Sequence, residues 1–94
     1  MSIAVIGGMD RLKRFYEKKG FEFGYKVKVF SQQVPNIRKR LTGVKGVILF
    51  TNTVSHNLVK EVVHVSRKHG IPVERSHSSS LSGLQRGLKS LALV

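Results

Sequence analysis

Residues 46–69 read GVILF, then TNTV, then SHNLVKEVVHVSRKH, and the change of pattern along this stretch decides the fold. The run 46–50 carries no polar side chain, as in a strand buried on both faces. Thr51, Asn52 and Thr53 then supply a polar corner. Ser55 stands where a helix N-cap is wanted. Beyond it Leu58, Val59, Val62, Val63 and Val65 recur at helical spacing, and Lys60, His64, Arg67 and Lys68 form the polar stripe, so a helix is predicted to about His69. Gly70 closes it, and 71–74 is predicted as the next strand.

The same strand, corner and helix sequence repeats on either side. Residues 2–6 form a mostly apolar run closed by Gly7 and Gly8, and a helix is predicted over 10–19 with Asp10 as its cap. Leu12, Phe15 and Tyr16 face inward in that reading, and Gly20 ends the helix. Residues 25–30 alternate Lys26 and Lys28 with Val27 and Val29, the pattern of an edge strand whose lysines discourage pairing with another chain. Pro35 suits the first turn of a helix that buries Ile37 and Leu41, exposes Arg38, Lys39 and Arg40, and stops at Gly43. After Ser78, Ser79 and Ser80, the spacing of Leu81, Leu84, Leu88 and Leu91 predicts a last helix. Gly83 and Gly87 within it permit close approach, either to its own sheet or to a second copy.

Strands alternating with helices require a parallel sheet with right-handed crossovers. The expectation is one α/β domain over 1–94, a three-layer Rossmann-like or flavodoxin-like sandwich with strand order 2-1-3-4 and helices on both faces. No stretch approaches the ~20 apolar residues of a membrane helix. Asp10 and Arg11 interrupt the apolar start too early for a secretory segment. The chain has no cysteine, which removes disulfides, thiolate metal sites and thiol nucleophiles. A cytoplasmic location is expected.

Seventeen Lys and Arg against five Asp and Glu leave a formal charge of +12. Such an imbalance favours polyanions through counterion release. The cations expected to meet nucleic acid are Arg11, Arg14 and Lys18, then Arg38, Lys39 and Arg40, then Lys60, Arg67 and Lys68. Few aromatics accompany them, and Phe15, Tyr16 and Phe50 are assigned to the core, so phosphate contact outweighs base stacking in this reading.

Ligands of open parallel sheets bind beyond the carboxyl ends of the strands. That rim collects Gly7, Gly8, Asp10 and Arg11, then Ser31 and Gln32, then Thr51, Asn52, Thr53, Ser55 and His56, then Arg75, His77, Ser78, Ser79 and Ser80. Small, hydroxylic and cationic groups ahead of helix amino termini suit a phosphate. A dinucleotide fingerprint and a Walker loop are both missing, and Phe30 and Ser31 stand where an acidic residue would hold a ribose. His64 and His69 are five apart and lack a carboxylate cluster, so no metal and no cofactor are expected. His56 could exchange a proton, with Asp10 the only aspartate to orient it.

Several segments together carry a resemblance: Ile6-Gly7-Gly8, the Thr-Asn-Thr-Val-Ser-His run of 51–56, Lys-His-Gly-Ile-Pro at 68–72, and Ser-Ser-Ser-Leu-Ser at 78–82. Over nearly the whole chain the sequence resembles the bacterial family called domain of unknown function 2325. The resemblance implies a small Rossmann-like fold and a shared site at Gly7, Gly8, Asn52, Ser55, His56 and the serines. Many members have cysteine before the Val-Ser-His element, where Thr53 stands here, so no redox or metal role carries over. The resemblance implies no activity.

Charge and rim together predict a non-enzymatic, homodimeric nucleic-acid-binding protein that grips RNA or DNA backbone and seats a phosphate or terminal nucleotide at the rim. The alternative is a small anionic-ligand or nucleotide sensor, or an enzyme, that uses His56 as acid or base. A third reading is a basic assembly domain without a ligand.

Overall fold

In a computed structural model, which describes residues 1–31 and 34–91, the chain alternates strands and helices as the patterning requires. It runs β1 (Ser2–Ile6), a 3-10 turn (Asp10–Leu12), α1 (Lys13–Glu22), β2 (Lys26–Phe30), α2 (Ile37–Arg40), β3 (Gly46–Phe50), α3 (His56–Lys68), β4 (Val73–Ser76) and α4 (Leu81–Leu91). All three strand pairings are parallel, in the order β2-β1-β3-β4. This is the expected Rossmann-like, flavodoxin-like α/β arrangement. No described helix is long and apolar enough to cross a membrane.

The two central strands bury both faces, which is why they read as unbroken apolar runs. Ile3, Val5, Ile48 and Phe50 turn toward α1 and α4, where they meet Tyr16, Leu84 and Leu88. Ala4, Ile6, Val47 and Leu49 turn the other way and pack under α2 and α3 against Ile37, Leu41, Leu58, Val62 and Val65. At the edge, β2 buries Val27 and leaves Lys26 and Lys28 in solvent. The glycines of α4 make close contacts within the chain: a Cβ on Gly87 would lie 2.9 Å from Ile48 Cδ1 in the sheet, and one on Gly83 would lie 2.6 Å from the Ser78 carbonyl oxygen in the connection ahead of α4.

Several local expectations are corrected. Gly20 does not end α1: it is buried in the helix interior, where a Cβ would stand 2.0 Å from Val27 Cγ2. The helix ends instead at Gly24, with φ 87°. There Gly24 N donates to the Phe21 carbonyl and Tyr25 N donates to the Gly20 carbonyl, both at 2.9 Å. This is the Schellman closure, and Gly20 supplies one of its acceptors.

Asp10 is not an N-cap. Met9 occupies that position without a side-chain bond, and Asp10 opens the 3-10 turn that leads into α1. The buried face of α1 runs through Tyr16 and Gly20, so Tyr16 is fully buried while Phe15, one residue off that face, is 40% exposed rather than in the core. Pro35 precedes α2 instead of opening it, because Asn36 takes a left-handed conformation (φ 56°) ahead of the helix.

The fourth strand begins at Val73 rather than at Ile71. Ile71 is still engaged in closing α3, its N–H donating to the Ser66 carbonyl at 2.8 Å beyond Gly70 (φ 67°). Pro72 has no N–H to give the ladder, although its carbonyl accepts from Val47 N at 2.9 Å. Arg75 and Ser76 therefore belong to the strand and not to the loop.

Candidate functional site

The carboxyl ends of β1, β3 and β4 do converge, and they are tied by one hydrogen-bond network. Gly8 N donates to Thr53 Oγ1 at 2.8 Å, and Thr53 Oγ1 donates to the Phe50 carbonyl at 3.2 Å. Met9 N donates to the Tyr16 hydroxyl at 3.1 Å, which donates to the Ser79 carbonyl at 2.6 Å. Ser79 Oγ donates to Asn52 Oδ1 at 2.6 Å. Tyr16 also tilts against Phe50, with ring centroids 5.3 Å apart, so its ring fills the space under the loops while its hydroxyl joins two of them.

This network accounts for the glycine pair. Gly7 and Gly8 have φ 89° and 94°, which glycine alone adopts without strain. A Cβ on Gly7 would lie 2.7 Å from Thr53 Oγ1, and one on Gly8 2.8 Å from Tyr16 Cε2. The Gly7 amide donates to the Phe30 carbonyl at 2.7 Å. The amides of Gly7, Gly8 and Met9 thus all point at protein acceptors, and an oxyanion finds none of them open in this conformation.

The starts of α3 and α4 at the rim are each capped by a serine. Ser55 Oγ accepts from Leu58 N at 3.1 Å, the N-cap that the sequence indicates for α3. Ser80 Oγ accepts from Gly83 N at 3.0 Å and from Ser78 Oγ at 2.9 Å, and Ser76 Oγ donates to the Ser78 carbonyl at 2.7 Å. The serine cluster therefore folds the β4–α4 connection and caps α4. Asp10, Arg11, Asn52, Ser55, His56, His77 and Ser80 are exposed, Thr51, Thr53 and Ser78 half-buried, and Ser79 buried. No hydrogen bond or ion pair among the described residues orients His56. No described group of three or more His, Asp or Glu is placed to hold a metal. Gln32, also expected on this rim, lies outside the described residues.

Arg75 departs from the rim altogether. On β4 it pairs with Leu49, whose side chain packs under α2 and α3. It lines a groove of about 290 Å³ with Val63, Arg67, Ile71 and Val73.

The cations gather elsewhere. Along the β2 edge a groove of about 460 Å³ is lined by Lys13, Lys28, Lys39 and Arg40 together with Glu17, Thr42 and the strand residues Val27, Val29 and Phe30. A second, of about 400 Å³, holds Arg38, Lys45 and His69 between the ends of α2 and α3, and is lined by Thr42 and Ile71. Thr42 belongs to both of these, and Ile71 belongs to the second and to the Arg67–Arg75 groove, so the three adjoin. The basic track they form passes from one edge strand to the other.

Of the expected nucleic-acid residues, Arg38, Lys39, Arg40 and Arg67 line this track. Arg11, Arg14, Lys18, Lys60 and Lys68 are exposed but do not line it. Lys13, Lys28 and Lys45 also line it, the first two in the β2-edge groove and Lys45 in the groove between the ends of α2 and α3. Among the described residues one ion pair forms, Lys19 to Glu22 at 3.1 Å on the surface. No ion pair among the described residues therefore neutralises the track cations.

Two aromatic rings also stand in solvent on α1. Phe21 is 80% exposed, and Phe15 lies beside Arg14, whose guanidinium carbon is 5.2 Å from the ring centroid. A signal for Phe21 was present: it continues the outward row of Glu17 and Lys18, opposite Tyr16 and Gly20.

No curated protein matches the chain. The family model described as "Uncharacterized protein conserved in bacteria (DUF2325)" matches residues 2–91. With nearly all of its length covered by that match, and with the Rossmann-like fold the resemblance implied, the chain belongs to the DUF2325 family.

Proposed function

We propose that this protein binds nucleic acid, gripping the phosphate backbone along the track that joins its three basic grooves. The observation that carries the reading is the lining of that track: eight cations, Lys13, Lys28, Arg38, Lys39, Arg40, Lys45, Arg67 and Arg75, against the single carboxylate of Glu17. Helix faces carrying Lys and Arg are usually balanced by nearby acids and merely solvated. Here the balance is missing where the surface is concave, which raises the local potential that a phosphate meets. Crossing four strands spans three strand spacings, about 14 Å, or about four phosphate steps of one strand.

The proposal differs from the expectation at the rim. A phosphate seat in the first loop receives no support from the geometry, because the amides of Gly7, Gly8 and Met9 already have partners within the chain. Contact is assigned to side chains of the track.

The test is fluorescence anisotropy of the purified protein with labelled single- and double-stranded RNA and DNA over a salt series. Eight phosphate contacts set an upper bound on the slope of log K against log salt of about −7 for duplex, and the roughly four phosphates that one strand places along the track set about −3 for single strands. A steep slope together with affinity well above that of a twelve-lysine peptide supports the reading. Binding no tighter than that peptide refutes it.

A further inference from the structure

Next to the β2-edge groove lies a depression of about 680 Å³ between α1 and the start of β2, lined by Met1, Phe21, Tyr25 and Val27 with Glu17 and Lys26. Glu17 and Val27 line both, so the apolar depression and the basic groove are continuous. We propose that this depression receives an unpaired nucleobase, stacked on Phe21, from a single strand whose phosphates lie in the adjoining β2-edge groove. The proposal rests on the nucleic-acid reading and specifies its ligand.

Phe21 keeps its ring 80% exposed while its neighbour Tyr16 is fully buried. Every base has a π-face, so an exposed ring beside a basic groove is a stacking platform for single strands. A duplex keeps its bases inside the stack and cannot offer one. The position of Glu17 gives the nucleotide a direction, since its carboxylate repels phosphate from the apolar side toward Lys13 and Lys28. The same carboxylate can accept a hydrogen bond from an exocyclic amino group, as carboxylates do from cytosine. Bases carrying that group are therefore preferred over uracil and thymine. A second copy of the chain fits this surface less well, because each copy carries +12 and would bring the lysines of the β2 edge against one another.

The chain contains no tryptophan, so Phe21→Trp places a single indole in the depression. Its fluorescence is expected to be quenched by a single-stranded oligonucleotide and left unchanged by the duplex of the same sequence. Phe21→Ala is expected to weaken single-strand binding at least about fivefold with the salt slope unchanged, because stacking releases no counterions. Duplex binding should not change, and thermal melting checks that the variant remains folded. Equal loss on both polymers, or no loss on single strands, overturns the proposal while leaving backbone binding intact. So does a wild-type dimer in sedimentation equilibrium that Phe21→Ala dissociates. If the wild-type protein binds neither polymer, both readings fall together.

Discussion

Replacing Lys39 and Arg40 by Gln separates specific contact from bulk charge. Both side chains line the β2-edge groove, and neither has an ion-pair partner among the described residues. The change lowers the formal charge from +12 to +10, and so does the control Arg86→Gln with Lys89→Gln on α4, which packs on the opposite face of the sheet from α2 and α3. If each of the first two residues neutralises one phosphate of a single strand, their loss reduces the salt slope by about 1.4. Extrapolated from 1 M, where the electrostatic term vanishes on that scale, this is about 1.4 log units at 0.1 M salt, or about 25-fold in affinity. Anisotropy titrations between 50 mM and 300 mM salt measure both quantities. The control pair should leave the slope nearly unchanged and cost only what a uniform field costs. Equal losses from the two pairs would refute the track, since that result requires attraction by net charge wherever the charge lies.

Three further outcomes test the architecture. Tyr16→Phe removes the hydroxyl that accepts from Met9 N and donates to the Ser79 carbonyl; urea denaturation should show a loss of about 1–3 kcal/mol, and none would mean that water replaces the network. Gly20→Ala should gain about 1 kcal/mol from helix propensity and lose about 1–3 kcal/mol to the clash with Val27 Cγ2, so it should not stabilise the native chain. The same change in a Val27→Ala background should stabilise it, and that reversal of sign in paired denaturation curves is the check. Ser55→Ala removes the acceptor for Leu58 N and should cost about 1 kcal/mol in thermal or urea unfolding, with nucleic-acid affinity unchanged because the rim makes no contact in the proposed mode.

Much of the fold was legible because it is written in local patterns. Gly46–Phe50 and Ser2–Ile6 read as doubly buried strands, β2 as an alternating edge, and α3 as a capped amphipathic helix, and all four are found. The failures share a physical cause. A glycine ends a helix only if it is the residue driven to positive φ, and Gly24 takes that role while Gly20 serves as a close contact with Val27. Both are glycines near the end of one amphipathic run, and composition does not separate them. The inward assignment of Phe15 failed because the buried face of α1 is narrow: it runs through Tyr16 and Gly20, and Phe15 lies about 100° round the helix from Tyr16.

The candidate site was less legible, since it depends on which distant residues become neighbours. Gly7, Gly8, Thr53 and Ser79 were grouped at the strand ends as possible ligand contacts, and there the amides of Gly7 and Gly8 and the hydroxyl of Ser79 have partners within the chain. Hydrogen-bond donors at a loop have the same chemistry whether a phosphate or a threonine accepts from them, and only the packing of three loops around Tyr16 decides between the two.

By itself, then, the sequence determined the α/β class, the strand order and the excess of positive charge, because periodicity, crossover handedness and composition act through short-range sterics and simple counting. Tertiary structure decided where the charge is concentrated. Lys13, Lys28 and Arg40 come from α1, β2 and α2, and they line one groove because right-handed crossovers carry α1 and α2 to opposite faces of a sheet whose edge strand lies between them.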